Sequence, residues 1–564
     1  MNVLGVGFLS DASAAVVRDG ELVAAVAEER YNRVKLWNGI PRRAIAGALE
    51  LAGLTLEDID VVATHGAAPA APDPAPYAAK AEAIRGAGLP AERRDAQLAH
   101  LEERRVHETR VLGERTPAYL AELRALGRPL RVFGHHEAHA ATAYYGAGWP
   151  ECGVLTIDGW GEDGSSTVWH GAAGKMIGLH RSHTFDSLGY FYGSLTKALG
   201  FVPHRHGGKV LGLAAYCRDS KSYPAIRTMV DYDRAARRFV GRMEGGLYVP
   251  RFDNPHLKDL VAAHAREDVA AAAQRTLEEV VCACVADLDL PAGRLAVAGG
   301  VFANVKLNQR LRELPNVREV SVFPNMGDGG LAAGAAWLAH VAATGMAPAP
   351  LSTLYLGPGW DTRAIAALLA TAGVRYRRLG DVAETVAELL AGGEVVAHFD
   401  GRMEYGPRAL GNRSILYQAT DPGVNDWLNR RLQRSEFMPF APATLAEHAD
   451  ACYVGLDGGR GPARYMAMTF DCTPRMRAES PAAVHVDGTA RPQVVAAAEA
   501  PRFHAILSAY SRRTGLASVV NTSFNMHEEP IVCTPEDALR AFHASALPYL
   551  VLGDFLVEGG DGHR

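Results

Sequence analysis

The sequence predicts a duplicated α/β architecture. Two observations carry the prediction: a strand-loop-strand unit at the N-terminus that returns near residue 154, and two later strands that each run into a glycine-rich turn ahead of a helix. In the first unit, residues 3–7 read as a strand, 10–13 as a polar loop, 14–17 as a second strand and 22–26 as a third. Asp19-Gly20 separates the last two strands, and an Asp-Gly pair between apolar runs signals a hairpin because both residues tolerate the left-handed backbone of a tight turn. The returning unit places a strand at 154–157, a loop bearing Asp158 at 158–161 and a strand at 166–169. The later strands, 295–298 and 320–323, lead into Gly299-Gly300 and into a turn carrying Asp328. Glycine at such a junction lets the backbone approach a phosphate or sugar closely, so four loops of this kind in order suggest a nucleotide-binding cleft.

Between the two units, residues 77–126 are rich in Ala, Glu, Arg and Leu and read as interposed helices whose charge is mostly a solvated face. Residues 329–360 carry no Asp, Glu, Lys or Arg. That run is long enough for a membrane span, but Gly345, Pro348 and Pro350 break it, so it reads as a buried helix followed by a linker. The Pro-rich stretch 346–350 marks the expected boundary between a first domain, 1–347, and a second α/β domain, 348–564.

The composition belongs to a multidomain globular chain: 564 residues, 48% apolar and 21% charged. Lysine and arginine against aspartate and glutamate give 58 − 63 = −5, which speaks against a dedicated nucleic-acid binder. The seven cysteines show no disulfide or zinc-knuckle spacing and read as small buried hydrophobes. The first residues enter a strand without an export signal, so the expected location is cytoplasmic, with no membrane partner.

His135 and His139 stand at i and i+4 in a helix-forming context, one turn apart on one face. The pair either shares a divalent ion or is two partly exposed helix histidines. Asp158 and Asp328 could complete a two-nitrogen, two-oxygen set, which suits Fe, Mn or Zn better than Mg or Ca.

Further motifs run through the chain: Asp-Ala-Ser-Ala-Ala at 11–15, Glu-Glu-Arg-Tyr-Asn-Arg at 28–33, His-His-Glu-Ala-His-Ala at 135–140, Ile-Asp-Gly at 157–159, and Gly-Lys-Val-Leu-Gly-Leu-Ala at 208–214. After Gly-Gly-Val at 299–301 come Gly-Pro-Arg-Ala-Leu-Gly-Asn-Arg-Ser at 406–414, Pro-Phe-Ala-Pro at 439–442 and Asn-Thr-Ser-Phe-Asn at 521–525. With these motifs the sequence resembles the O-carbamoyltransferases of antibiotic biosynthesis, of the tobramycin carbamoyltransferase type, and the nodulation-factor carbamoyltransferases.

The resemblance implies an N-terminal duplicated actin- and kinase-like ATPase fold and a C-terminal α/β domain similar to threonylcarbamoyl-adenylate synthases. It implies ATP with Mg2+ and carbamoyl phosphate as co-substrates, a carbamoyl-adenylate intermediate, and transfer to a hydroxyl of a small secondary metabolite. By position, His135, His139, Asp158 and Asp328 match metal ligands expected to hold Fe2+ or another divalent ion. Lys209 is expected at a phosphate, and Gly299, Gly300 and Asn304 at adenosine or ribose. Arg408 and Arg413 could offer forked donors to the carbamoyl phosphate dianion. Asn521 and Asn525 would orient ligands of the second domain or serve as buried turn asparagines.

Three positions depart from the family pattern: Ser10 where a histidine is usual, Leu36 where a histidine commonly closes the Glu-Glu-Arg motif, and Met438 before Pro439. Without that first histidine, Asp11 is the expected general base, with Ser10 donating a hydrogen bond. Rival readings are a tRNA threonylcarbamoyl-transfer protein and a catalytically silent metal- and nucleotide-binding regulator; a homodimer is allowed for.

Overall fold

The computed structural model describes residues 1–67, 71–162, 164–433 and 437–559. The expected domains, 1–347 and 348–564, therefore each include a few positions outside the described residues. Two compact units emerge. The first comprises Met1–Leu9, Ala15–Leu22 and Thr55–Leu351, and the second Ser10–Ala14, Val23–Leu54 and Ser352–Arg564.

Two five-stranded sheets share one strand connectivity. One sheet contains β1 (Asn2–Gly7), β2 (Ser13–Arg18), β3 (Glu21–Ala27), β4 (Val61–His65) and β5 (Leu130–Phe133), in the order β3-β2-β1-β4-β5. Its hairpin turns where expected, with Asp19 and Gly20 at φ of 50° and 88°. The next strands are β6 (Glu151–Gly161), β7 (Gly164–Ala172) and β8 (Lys175–His183), then a ribbon of β9 (Val230–Asp233) and β10 (Arg238–Gly241), then β11 (Arg294–Ala298) and β12 (Glu319–Val322). The second sheet runs β12-β11-β6-β7-β8, with β11 parallel to both β6 and β12. Each sheet thus places its first three strands as a meander and adds the fourth and fifth beyond the first.

The uncharged run forms the helix Leu331–Thr344, whose residues from Leu331 to His340 are buried. Small residues let it approach closely. A Cβ on Gly5 would meet the Ala332 carbonyl oxygen at 1.9 Å, and one on Gly334 the Ala138 carbonyl oxygen at 2.1 Å. Among the described residues no helix is long and apolar enough to cross a membrane.

The interposed segment is helical over Pro74–Gly86, Ala91–Arg110 and Thr116–Arg124. One charged pair is the exception to the mostly solvated face expected of it. Arg104 and Glu108 are buried and paired at 2.5 Å, Arg104 also donates to Tyr190 Oη at 2.7 Å, and its guanidinium lies 5.5 Å from the Trp160 ring. All seven cysteines are free, and five are buried.

The second unit is built on eight strands: β13 (Tyr376–Arg378), β14 (Val396–Phe399), β15 (Arg413–Gln418), β16 (Ala441–Leu445), β19 (Gln493–Val495), β20 (Ser518–Ser523), β21 (Tyr549–Leu552) and β22 (Phe555–Glu558), with β17 (Phe470–Asp471) and β18 (Thr489–Ala490) as a separate ribbon. The order is β13-β22-β21-β14-β15-β20-β16-β19. Alternate residues feed two cores. Ala397, Phe399, Ile415, Tyr417 and Val520 face one, and Val396, Leu416 and Val519 the other. Helices cover both faces, through Leu369 and Phe542 on one side and Leu390, Phe503 and Leu507 on the other.

Candidate metal centre and ligand loops

The helix His135–Ala147 starts where its N-terminal amides find carboxylates: Gly134 N–H donates to Glu137 at 3.1 Å and His135 N–H to Glu162 at 2.7 Å. Negative charge at this end is favoured by the helix dipole. The helix thereby presents two buried imidazoles, His135 at 6% exposure and His139 at 0%, so they are not the partly exposed pair that the spacing alone also allowed.

Their Nε2 atoms stand 3.1 Å apart. Asp158 Oδ2 lies 3.1 Å from His139 Nε2 and 3.6 Å from His135 Nε2, and Asp328 Oδ1 is 3.5 Å from each. Asp158 sits within β6, not on a loop after it. The pairing of β6 with β7 slips between Ile157 and Gly161, the stretch that holds Asp158. Asp328 opens the short turn Asp328–Gly330 ahead of the core helix. Burial alone would raise the Asp158 carboxyl, but hydrogen bonds and charge from His135 and His139 outweigh it and hold it well below the usual range.

This donor set fits a divalent ion. Nitrogen-metal bonds of about 2.1 Å from two atoms 3.1 Å apart subtend roughly 95°, within reach of tetrahedral or octahedral coordination. The four ligand atoms all lie within 4.8 Å of one another.

His65 and Glu162 were missed in the sequence. With His135 they offer ligand atoms within the same 4.8 Å limit. His65 ends β4, stacks on Phe8 with centroids 4.4 Å apart, and is held well below its ordinary pKa by burial. The detectable signals were a histidine at a strand end before Gly66 and a glutamate four residues after Asp158.

Gly299 and Gly300 pack against the strand that carries Asp158. Gly299 has φ of 106° and a Cβ there would meet Ile157 O at 2.2 Å; one on Gly300 would stand 3.1 Å from Asp158 Oδ1. Asn304 caps the next helix by accepting Leu307 N–H at 3.0 Å and pairs its amide with Gln274. Lys209 is buried within the helix Gly207–Ala214.

Ser10 and Asp11 are half-buried residues of the second compact unit, with Asp11 at φ of 51°. The backbone beside them is pinned by Ala12 N–H to Trp37 O at 3.0 Å and Glu28 N–H to Ala12 O at 2.9 Å. Leu36 donates its N–H to Glu29 at 2.8 Å. Arg33 binds the carbonyls of Ile531 and Pro530, and Arg30 that of Gly406, so this N-terminal motif belongs to the second unit.

In that unit, Arg408 lies half-buried in a turn bounded by Gly406 and Gly411, at φ of 114° and 115°. Arg413 behaves differently. It is fully buried, donates to the carbonyls of Asp400, Asn412, Pro358 and Gly401, and lies 3.6 Å from the Phe399 ring centre. Burial pulls its guanidinium down to about 10, which leaves it charged at neutral pH. Its fork is directed at the chain itself. Glu404, also missed in the sequence, accepts the N–H groups of Leu410, Asn412 and Arg413 at 2.7, 2.8 and 3.1 Å on one oxygen. Asn521 Nδ2 donates to Gln493 Oε1 and Ala409 O, and Asn525 Nδ2 to Met526 O and Glu529 O. Met438 is half-buried ahead of Phe440, whose N–H reaches Asn425 at 3.4 Å.

Comparison with known proteins covers nearly all of this architecture. The chain is 32% identical to nodulation protein NolNO of Sinorhizobium fredii over 98% of its length and 79% of that protein. It is also 32% identical to an uncharacterized protein of Synechocystis sp. over 99% of its own length and 96% of the relative's. The solved structure of T. kodakarensis HypF aligns over 61% of this chain and 48% of its own, at 13% identity and a TM-score of 0.34. Residues 2–337 match the pattern described as carbamoyltransferase N-terminus and residues 387–559 that of carbamoyltransferase C-terminus. The chain therefore belongs to the carbamoyltransferase family and is an enzyme of that type.

Proposed function

We propose that the protein is an ATP-dependent O-carbamoyltransferase that moves a carbamoyl group from carbamoyl phosphate, through carbamoyl-adenylate, to a hydroxyl of a secondary metabolite in the cytoplasm. The convergence of His135, His139, Asp158 and Asp328 carries this reading, because such a site serves a reaction in which negative charge builds on a leaving oxygen. The shared strand order of the first two sheets supports an actin- and kinase-like ATPase half over 1–347, and the 348–564 half is read as the adenylate-forming one.

Atom balance fixes the steps. Carbamoyl phosphate and one water give carbamate and phosphate; a carbamate oxygen then attacks the α-phosphorus of ATP, and the bond to pyrophosphate breaks. In the second half-reaction the acceptor oxygen attacks the carbamoyl carbon, the bond to AMP breaks, and the hydroxyl proton passes to a base.

In this reading Arg408 binds the carbamoyl phosphate dianion, while Arg413, Asn521 and Asn525 shape its surroundings. Gly299 and Gly300 leave room for the nucleotide, Lys209 offers charge to its phosphates, and Asn304 fixes the helix that follows. Asp11 takes the acceptor proton, with Ser10 donating to it. A divalent ion, read as Fe2+, held by the four ligands would supply Lewis acidity, and Mg2+ would accompany ATP. The test is pyrophosphate release from ATP: it should require carbamoyl phosphate and yield a carbamoyl-adenylate detectable by mass spectrometry. Release without carbamoyl phosphate, or none with it, would refute the reading.

A further inference from the structure

Two acceptor oxygens in the second compact unit are buried with no hydrogen-bond donor among the described residues: Glu404 Oε2 and Asn521 Oδ1. Their residues are 4% and 1% exposed. Both side chains are held rigidly. Glu404 spends its other oxygen on three backbone N–H groups, and Asn521 donates both hydrogens of its amide, to Gln493 Oε1 at 2.7 Å and Ala409 O at 3.3 Å. Flipping that amide would set an oxygen against an oxygen, since Gln493 Nε2 is itself committed to Leu410 O at 2.7 Å. So the orphan atom of Asn521 is an acceptor.

The two side chains meet at one peptide group. Asn521 binds its oxygen, on Ala409, and Glu404 its N–H, on Leu410. This peptide directly follows Arg408. A buried carboxylate oxygen left unpaired is strongly unfavourable, and one placed next to an anion-binding turn also repels phosphate. Both penalties vanish for a ligand that brings N–H donors along with its anion.

We propose that Glu404 Oε2 and Asn521 Oδ1 accept the two N–H bonds of the carbamoyl amide, and so select carbamoyl phosphate over acyl phosphates that lack an amine. The inference rests on the reading that this unit binds carbamoyl phosphate. Acetyl phosphate is the informative competitor. It has the same phosphate and carbonyl, but its methyl group leaves both acceptors unpaired, and a site built to hydrogen-bond a group rejects the analogue that lacks it.

Calorimetric titration of the full-length chain with carbamoyl phosphate and acetyl phosphate tests this. The unaltered protein should prefer carbamoyl phosphate by at least about tenfold. Glu404→Gln, which keeps size and one acceptor oxygen but turns the other position into a donor, should lower carbamoyl phosphate affinity about tenfold or more while acetyl phosphate affinity holds or rises. Unaltered protein that binds both phosphates equally would overturn the proposal without any variant, as would a parallel loss of both ligands in Glu404→Gln, which marks a loop-holding role only. Unaltered protein that binds neither would overturn the carbamoyl phosphate reading itself, and this inference with it.

Discussion

His135 and His139 direct their Nε2 atoms at one point from adjacent turns of a single helix, 3.1 Å apart, and Asp158 Oδ2 meets His139 at the same 3.1 Å. Neutral imidazoles at that distance either share one proton in an N–H···N bond or, with both Nε2 atoms bare, turn two lone pairs on a shared cation. His135→Ala and His139→Ala should each lower divalent-metal affinity about a hundredfold or more, read by elemental analysis after dialysis. Full occupancy in both variants would show that the ion is held elsewhere.

Gly299 and Gly300 should respond in opposite ways. A methyl on Gly300 lies 3.1 Å from Asp158 Oδ1 in an ordinary backbone conformation, so Gly300→Ala should fold normally and bind metal about tenfold more weakly. Gly299 has φ of 106° and its Cβ would stand 2.2 Å from a backbone oxygen, so Gly299→Ala should lose about 3 kcal/mol or more of stability. Urea unfolding alongside metal titration separates the two. Equal effects on both quantities would contradict this division.

Much of this was legible in the sequence because it was local. The Asp19-Gly20 turn, the repeated strand unit and the helical spacing of His135 and His139 depend on neighbours a few residues away. What escaped is set by distant partners. Pairing that resumes at Gly161 with Gly164 of β7 decides that Asp158 lies inside a strand, and carbonyls of Pro358, Asp400 and Gly401 decide that Arg413 is structural. The Arg104–Glu108 pair looked like one more solvated i, i+4 bridge until Tyr190 and Trp160 covered it.

His398 gives the second unit an acid-sensitive joint. It is buried, its Nδ1 pairs with Gly411 O at 2.6 Å, and its Nε2 has no partner among the described residues. Burial lowers its folded pKa below the ordinary 6.5, because protonation would place a donor where nothing accepts. With the folded value depressed, the stabilising contribution is fully present above the unfolded value and is lost as pH falls from about 6.5 toward the folded one. The melting temperature of the second unit should therefore drop between about pH 7 and 5, and His398→Gln should flatten that slope. An unchanged slope in the variant would assign the acid sensitivity to other groups.

Arg408 and Arg413 stand in one motif, five residues apart, yet are expected to fail differently when changed. Arg413 lies against Phe399 and serves four carbonyls, so Arg413→Met strands those oxygens in a buried place and should destabilise the second unit by about 4 kcal/mol or more. Arg408 is half-buried on the turn, and Arg408→Ala should move stability by less than about 1 kcal/mol. Its loss should instead abolish carbamoyl-phosphate-dependent pyrophosphate release while leaving transfer from supplied carbamoyl-adenylate largely intact, because only the first half-reaction needs the dianion held. Urea unfolding and the two half-reaction assays, run on both variants, decide the assignment. A stable Arg413→Met protein that no longer binds carbamoyl phosphate, beside an active Arg408→Ala, would exchange the two roles.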